Sequence, residues 1–262
     1  MILITILIGT LAAGIGSVWL AALLSFGMLG RYTQHLLSLA AGALLATAFM
    51  HLLPEAFEGQ ISAHNLFLTL LVGLVFFFLL DKAELWHHGH EHHHDHDHDH
   101  GENPPGHGHV PSAGSWAVLA GDSVHCFGDG VLIASAFMAD LRLGVAAALA
   151  VLAHEVPHHM GDLLVLRSGA GNQRAVALLK VSLAGAVTAL GGLAGYWLVE
   201  QLQDYLPYFL VVASSSFVYV ALADLIPQLQ KRLTAGATVA QIAWLLAGIG
   251  LVTLASSLAH AH

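Results

Sequence analysis

Charge is scarce in this sequence. Lysine, arginine, aspartate and glutamate together make up 10% of the 262 residues, where a soluble domain carries roughly a quarter. So low a content excludes an ordinary water-facing globular surface. Basic residues are the rarest, eight against 17 acidic ones, giving a formal charge of −9, and no nucleic-acid partner is expected. The single cysteine, Cys126, excludes an internal disulfide. The first apolar block, Met1 to about Phe26, lacks a charged leading region and a clean small-residue cleavage site. It therefore reads as a first helix and not as a removable signal peptide.

What the chain has instead is long apolar runs, at 56% hydrophobic residues. A bilayer core about 30 Å thick needs roughly 20 apolar residues to be crossed by a helix. Eight such runs are present, at about 2–26, 36–57, 65–86, 115–138, 142–166, 177–201, 206–230 and 238–259. The expected fold is all-α: a polytopic membrane protein, residues 1–262 forming one domain, with eight transmembrane helices in a single bundle embedded in the lipid bilayer. Small residues such as Ala184-Gly185-Ala186 and Gly191-Gly192 favour close helix packing.

Basic residues concentrate in cytoplasmic loops. Arg31, Lys82, Arg167, Arg174, Lys180, Lys231 and Arg232 fall in or beside the loops after spans one, three, five and seven, and only Arg142 falls on the other side. This split sets both termini outside, with the odd-numbered loops in the cytoplasm and the plasma (inner) membrane as the expected location. Of the 20 histidines, eleven lie between His87 and His109, in runs such as His92-His93-His94-Asp95-His96. The loop 87–114 is too polar to pack a core and is expected to be disordered and cytoplasmic. Its imidazoles and carboxylates suit weak binding of zinc, copper or nickel.

Ionisable residues in mid-span are costly and normally mark a site or a pathway. Here they gather on spans four and five. Asp122, His125 and Asp129 are spaced by three and four residues and share one helical stripe. On span five His154, His158 and Asp162 form a second stripe, with Glu155 and His159 beside it. Two such stripes facing each other suit tetrahedral zinc through His125, Asp129, His154 and His158. Asp122, Asp162 and Asp224 fall towards the cytoplasm, whereas His51 and Glu55 on span two fall on the outer half. The polar residues thus trace a line through the bilayer, as a transport path requires and an enzyme site does not. Pro54, Pro157 and Pro227 each sit inside a polar stretch, and Pro157 frees the carbonyl of Ala153 beside His154.

Two other readings fit parts of the pattern. His154-Glu155-Val156-Pro157-His158 matches the H-E-x-x-H of zinc metalloproteases, which would make the chain an intramembrane protease with Glu155 as base. A histidine-rich cytoplasmic loop also occurs in metal efflux carriers. Pro157 inside the motif and the ligand-type residues on span four count against the protease. Eight spans without a soluble domain count against the efflux carrier.

Taken together, His125-Cys126-Phe127-Gly128-Asp129-Gly130 resembles the fourth-helix signature of the ZIP (Zrt/Irt-like) metal transporters. His154-Glu155-Val156-Pro157-His158-His159-Met160-Gly161-Asp162 is similar to their fifth-helix signature, His51-Leu52-Leu53-Pro54-Glu55-Ala56 to their second, and Tyr219 to Pro227 to their seventh. The resemblance implies a carrier, not an enzyme, that moves Zn2+, with Cd2+, Fe2+ or Mn2+ as further substrates, into the cytoplasm while helical bundles slide or rock. It implies a two-metal centre between helices four and five. One site would use His125, Asp129, His154 and His158; the other would use Cys126 and Glu155 and share Asp129 and His158. It also implies a homodimer. Two positions depart from the family: Cys126 stands where asparagine is usual, and the middle of span six, around Ser182, has no carboxylate. A thiol there favours zinc or cadmium over manganese.

Overall fold

A computed structural model of the protein describes residues 1–26, 33–89, 113–169, 174–229 and 234–258. The expected cytoplasmic loop lies mostly outside these residues. The described chain is helical throughout. Span one is α1 (Ile2–Leu11), a π-helical turn (Ala12–Gly16) and α2 (Ser17–Phe26). Span two is α3 (Thr33–Thr47), a second π-turn (Ala48–Leu52) and α4 (Leu53–Phe57). Then come α5 (Ala63–Gly89), α6 (Ala113–Ala139), α7 (Leu141–Gly169), α8 (Arg174–Gln201), α9 (Leu206–Leu229) and α10 (Ala235–Leu258). Several helices begin two or three residues before the hydropathic edge, because a helix continues past the lipid-facing apolar stretch into polar residues such as Thr33 and Gln34.

Among the described residues, six stretches are long and apolar enough to cross a membrane: Ile2–Leu24, Thr33–Phe57, Ala63–Leu80, Ala175–Gln201, Gln203–Pro227 and Ala235–Leu258. The chain is therefore an all-helical, polytopic membrane protein. The two remaining long helices, α6 with 27 residues and α7 with 29, have the required length. What they lack is uniform apolarity, since Asp122, Asp129, Glu155 and Asp162 interrupt them. Large apolar side chains elsewhere point outward, among them Trp19, Leu71, Phe76, Leu183, Trp197 and Leu246, as a lipid-facing surface requires. Buried hydroxyls satisfy themselves locally: those of Thr10, Ser135 and Ser214 donate to the carbonyls of Ile6, Val131 and Leu210 one turn back.

The prolines are absorbed in different ways. Pro157 and Pro227 lie inside α7 and α9. Pro54 instead stands at the start of α4, directly after the second π-turn, where the change of hydrogen-bond register takes up its missing N–H. The Leu53 N–H reaches back five residues to the carbonyl of Ala48.

The helices sort into two bundles. In one, α6 packs chiefly on α8 and α7, while α1 and α2 lie against α8 and α7. In the other, α3 packs on α10 and α9, and α5 on α9. Small residues bring backbones together inside each. A Cβ on Gly191 would overlap the carbonyl of Phe127 in the α6–α8 contact, and one on Gly42 would overlap the carbonyl of Leu245 in the α3–α10 contact. Among the glycines whose surroundings are described, the nearest such contacts all stay within their own bundle. Where the bundles meet, α3 and α7 share a core made largely of alanine: Ala41, Ala43 and Ala46 with Ala146, Ala147 and Ala150. The Thr47 hydroxyl donates to the carbonyl of Ala43 at 2.9 Å and reaches that of Ala146 across this seam at 3.4 Å.

Candidate metal centre

The sequence places three- and four-residue steps of ligand-type side chains on α6 and α7, and the packing of those two helices turns the steps towards each other. His125 stands near the middle of α6 and His154 near the middle of α7. His125 Nε2 lies 3.2 Å from Glu155 Oε1 and 3.8 Å from Asp129 Oδ2. The rings of His125, His154 and His158 have centroids 5.5, 5.6 and 6.2 Å apart. Two imidazoles bound to one tetrahedral zinc at 2.0–2.1 Å would sit about 5 Å apart by centroid, so small side-chain adjustments suffice.

Three groups bring ligand atoms within 4.8 Å of one another: His125, His154 and Glu155; Asp122, Cys126, Glu155 and His159; and Asp122, His158, His159 and Asp162. The expected partner sets are thus redistributed. Asp129 approaches through His125. Cys126 sits with Asp122 and His159, where the resemblance paired it with Asp129 and His158. His158 Nδ1 lies 3.6 Å from Asp122 Oδ1 and 3.4 Å from Asp162 Oδ2.

Burial varies along the row. Asp122, Asp129, His154, Glu155 and His159 are buried, while the side chain of His158 is 39% exposed. Burying charge-bearing groups without partners costs several kcal/mol per ion even after relaxation. Here the partners are close and yet poorly aligned. His125 Nε2, Glu155 Oε1, Asp129 Oδ2, Asp122 Oδ2, His159 Nε2 and Asp162 Oδ2 are buried and make no hydrogen bond among the described residues. Each such orphan costs about 1–3 kcal/mol. Lone pairs that crowd together without bonding to one another are what a cation-binding set presents.

Two expected residues, His51 and Glu55, stand apart from these groups, and a third, Asp224, is described only in its backbone. His51, in the second π-turn, has its Nδ1 3.5 Å from the hydroxyl of Ser256 on α10. Glu55 is exposed one turn further on. The backbone of Asp224 belongs to α9, and its side chain lies outside the described residues. Conversely, His159 is fully buried inside two of the three groups, although the sequence reading set it only beside the stripe. The signal was present: Asp122–Cys126 and Glu155–His159 are both four-residue steps, so each pair shares a helix face. Ser17, which meets His159 from α2, carried no such signal.

A cavity of about 390 Å³ opens between α5, α6 and α9, with His125 and Asp129 on its wall. Its other walls are mainly apolar, with Phe76, Phe77, Val124 and Phe127 among them. A hydrated cation gains little from such walls.

Comparison with known proteins gives the family. Residues 82–256 match the family described as ZIP Zinc transporter. The chain is 34% identical over 177 residues to the zinc transporter foi of Drosophila melanogaster, covering 67% of this chain and 24% of that protein. It is 28% identical over 276 residues to the zinc transporter ZIP13 of Pongo abelii, covering 95% of this chain and 77% of that one. To human zinc transporter ZIP4 it is 37% identical over 116 residues, 44% of this chain and 18% of that protein. The chain thus spans about a quarter or less of two of these relatives and about three quarters of the third.

Proposed function

The chain belongs to the ZIP zinc transporter family, and on that premise we propose that it carries zinc through the bilayer into the cytoplasm by way of the polar row on α6 and α7. Membership of a transporter family removes the metalloprotease reading of His154 to His158. The observation that carries the proposal is the convergence of buried, unbonded ligand atoms from two helices, His125 Nε2, Glu155 Oε1 and Asp129 Oδ2 among them. His125, His154 and Glu155 take the ion at mid-membrane, with Asp129 beside His125 and His158 at the next turn. His51 and Glu55 serve the outer approach. Asp122, Asp162 and Asp224 lead towards the histidine loop, which buffers the ion on arrival.

Access alternates as one bundle slides along the other. The alanine-rich contact of α3 with α7 supports this, because methyl groups form shallow ridges with little to climb over. The direction rests on the seven-to-one distribution of lysine and arginine between the loops.

The test is radioactive zinc flux in proteoliposomes holding the parent chain, His125→Ala or His154→Ala. Both variants should fall to the level of protein-free liposomes. Equal flux in all three would remove the proposed path. Uptake by whole cells gives the direction by its sign. Deleting residues 87–109 should leave basal flux and alter retention of the metal, and complete loss of uptake in a well-expressed deletion would overturn the buffering role.

A further inference from the structure

The cavity between α5, α6 and α9 has a shape and a lining that the polar row does not explain. Its volume of about 390 Å³ falls among small-molecule pockets, roughly 300–1,000 Å³. It lies where the two bundles meet, with α6 from one and α5 and α9 from the other. α5 is held close to α9, where a Cβ on Gly73 would overlap the Ser215 hydroxyl, and it hardly touches α6. The mouth therefore falls between α5 and α6. Phe76, Val124 and Phe127 of its wall are exposed on the face that lipid covers. A molecule can enter sideways from the bilayer without passing through water.

Gly128 keeps this space open. A Cβ there would meet nothing within 4 Å, whereas one on Gly130 would overlap the carbonyl of Thr188. Gly130 thus serves the contact of α6 with α8, and Gly128, on the cavity wall, meets no neighbour among the described residues. A glycine in mid-helix is destabilising, and here no close packing offsets that cost. The polar side chains on the walls come from two helices: His125 and Asp129 from one face of α6, Ser216 and Tyr219 from one face of α9. Asp129 is buried, and the ion pair described for it is with His125 at 3.8 Å, beyond hydrogen-bond length. Asp129 Oδ2 makes no hydrogen bond among the described residues. A buried carboxylate without a bonded cation is costly. It therefore selects a positively charged partner over a neutral one of the same shape.

We propose that this cavity binds a lipophilic primary amine taken from the bilayer, its ammonium paired with Asp129 and its aromatic end among Phe76, Phe77 and Phe127. The mixture of walls selects this class. A plain acyl chain would leave Asp129 unpaired, and a hydrated metal ion would leave the aromatic walls bare. An ammonium is also attracted to the faces of aromatic rings. It has three N–H donors, and the hydroxyls of Ser216 and Tyr219 can accept from those that Asp129 does not take. Bound there, the molecule touches both bundles at once and occupies a carboxylate of the polar row. It thus holds α6 against α5 and α9 and competes with the metal. The pocket goes beyond the transport reading, and only the inhibition of flux rests on it.

The test uses phenylbutylamine as the probe and phenylbutanol as its neutral counterpart. Binding to the full chain, purified in detergent, is followed by equilibrium dialysis against empty micelles. The parent should bind the amine saturably and about 10- to 100-fold more tightly than the alcohol, and zinc should displace it. Asp129→Asn should remove the preference for the amine. Gly128→Leu, which fills the cavity, should abolish binding of both molecules. Phe76→Ala should weaken the amine about 2- to 30-fold and retain zinc flux. In proteoliposomes the amine should inhibit zinc flux by the parent and inhibit Phe76→Ala less. Gel filtration confines the comparison to folded variants. No saturable binding to the parent, equal affinity for amine and alcohol, or unchanged binding in both Gly128→Leu and Phe76→Ala would overturn the pocket. A parent that binds the amine selectively but moves no zinc would leave the pocket standing and the transport reading refuted.

Discussion

The bundle of spans one, four, five and six holds the buried Asp122, Asp129, His154, Glu155 and His159, whereas the bundle of spans two, three, seven and eight buries mostly alanine, leucine and serine. Both are knit by the same device, a glycine pressed against a neighbouring backbone. They differ in what they carry, and their common seam is built from side chains too small to interlock. On the proposed reading one part holds the ion and the other guides it, and the two have separate demands. The first needs close convergence of ligands, and the second needs a firm wall with a smooth surface.

The sharpest way to break this division is to exchange histidine for alanine on each side. His154→Ala should abolish zinc flux in proteoliposomes. His51→Ala should reduce it by less than about tenfold, the worth of one long hydrogen bond. Equal losses would show that both bundles hold the ion. Next in size is the glycine contact inside the carrying bundle. Gly191→Ala sets a methyl group against the backbone of Phe127 and should cost about 3 kcal/mol, the upper part of the overpacking range. Thermal unfolding in detergent measures it, and an unchanged melting temperature would mean that α6 and α8 can separate freely.

Ala147→Phe fills the seam instead. It should cost about 1–3 kcal/mol in stability and arrest flux while leaving cadmium binding intact. Unimpaired flux in this variant would put the moving surface elsewhere. Smallest of all is Thr47→Val, which removes the 3.4 Å reach across the seam. Hydrogen bonds between membrane helices average about 0.6 kcal/mol, so melting should shift slightly and flux should hold. A large loss would mean that the seam depends on a polar latch.

Much of this was legible in the sequence, for physical reasons. Apolar runs fix helices because an unbonded peptide group is intolerable in lipid. Four-residue steps fix faces, so the meeting of His125 with His154 and His158 followed from spacing alone. Which ligand pairs with which did not follow. Cys126 turned to His159 and Asp122, since rotation and offset between α6 and α7 arise from packing against α8 and α2, and no local pattern encodes those. Ser17 was invisible for the same reason, being a small residue in an apolar run whose role appears only when α2 lies against α7. The π-turns were also unforeseen, although Pro54 now explains the position of one: a backbone already reaching back five residues accommodates the missing N–H.

The acids inside α6 and α7 bear on biogenesis. A charged residue at the centre of a helix adds about 2.5–3.5 kcal/mol to insertion through the translocon, and each of these helices carries two acids, Asp122 with Asp129 and Glu155 with Asp162. These acids count against the insertion of either helix alone. Span one, made first, offers an early shelter, because Gly9 lies against Phe137. For α6 the larger shelter is α8, which leaves the ribosome only after α6 and α7 are complete. A nascent chain halted between α7 and α8 therefore holds α6 without its main neighbour, and its assembly waits on a helix not yet synthesised.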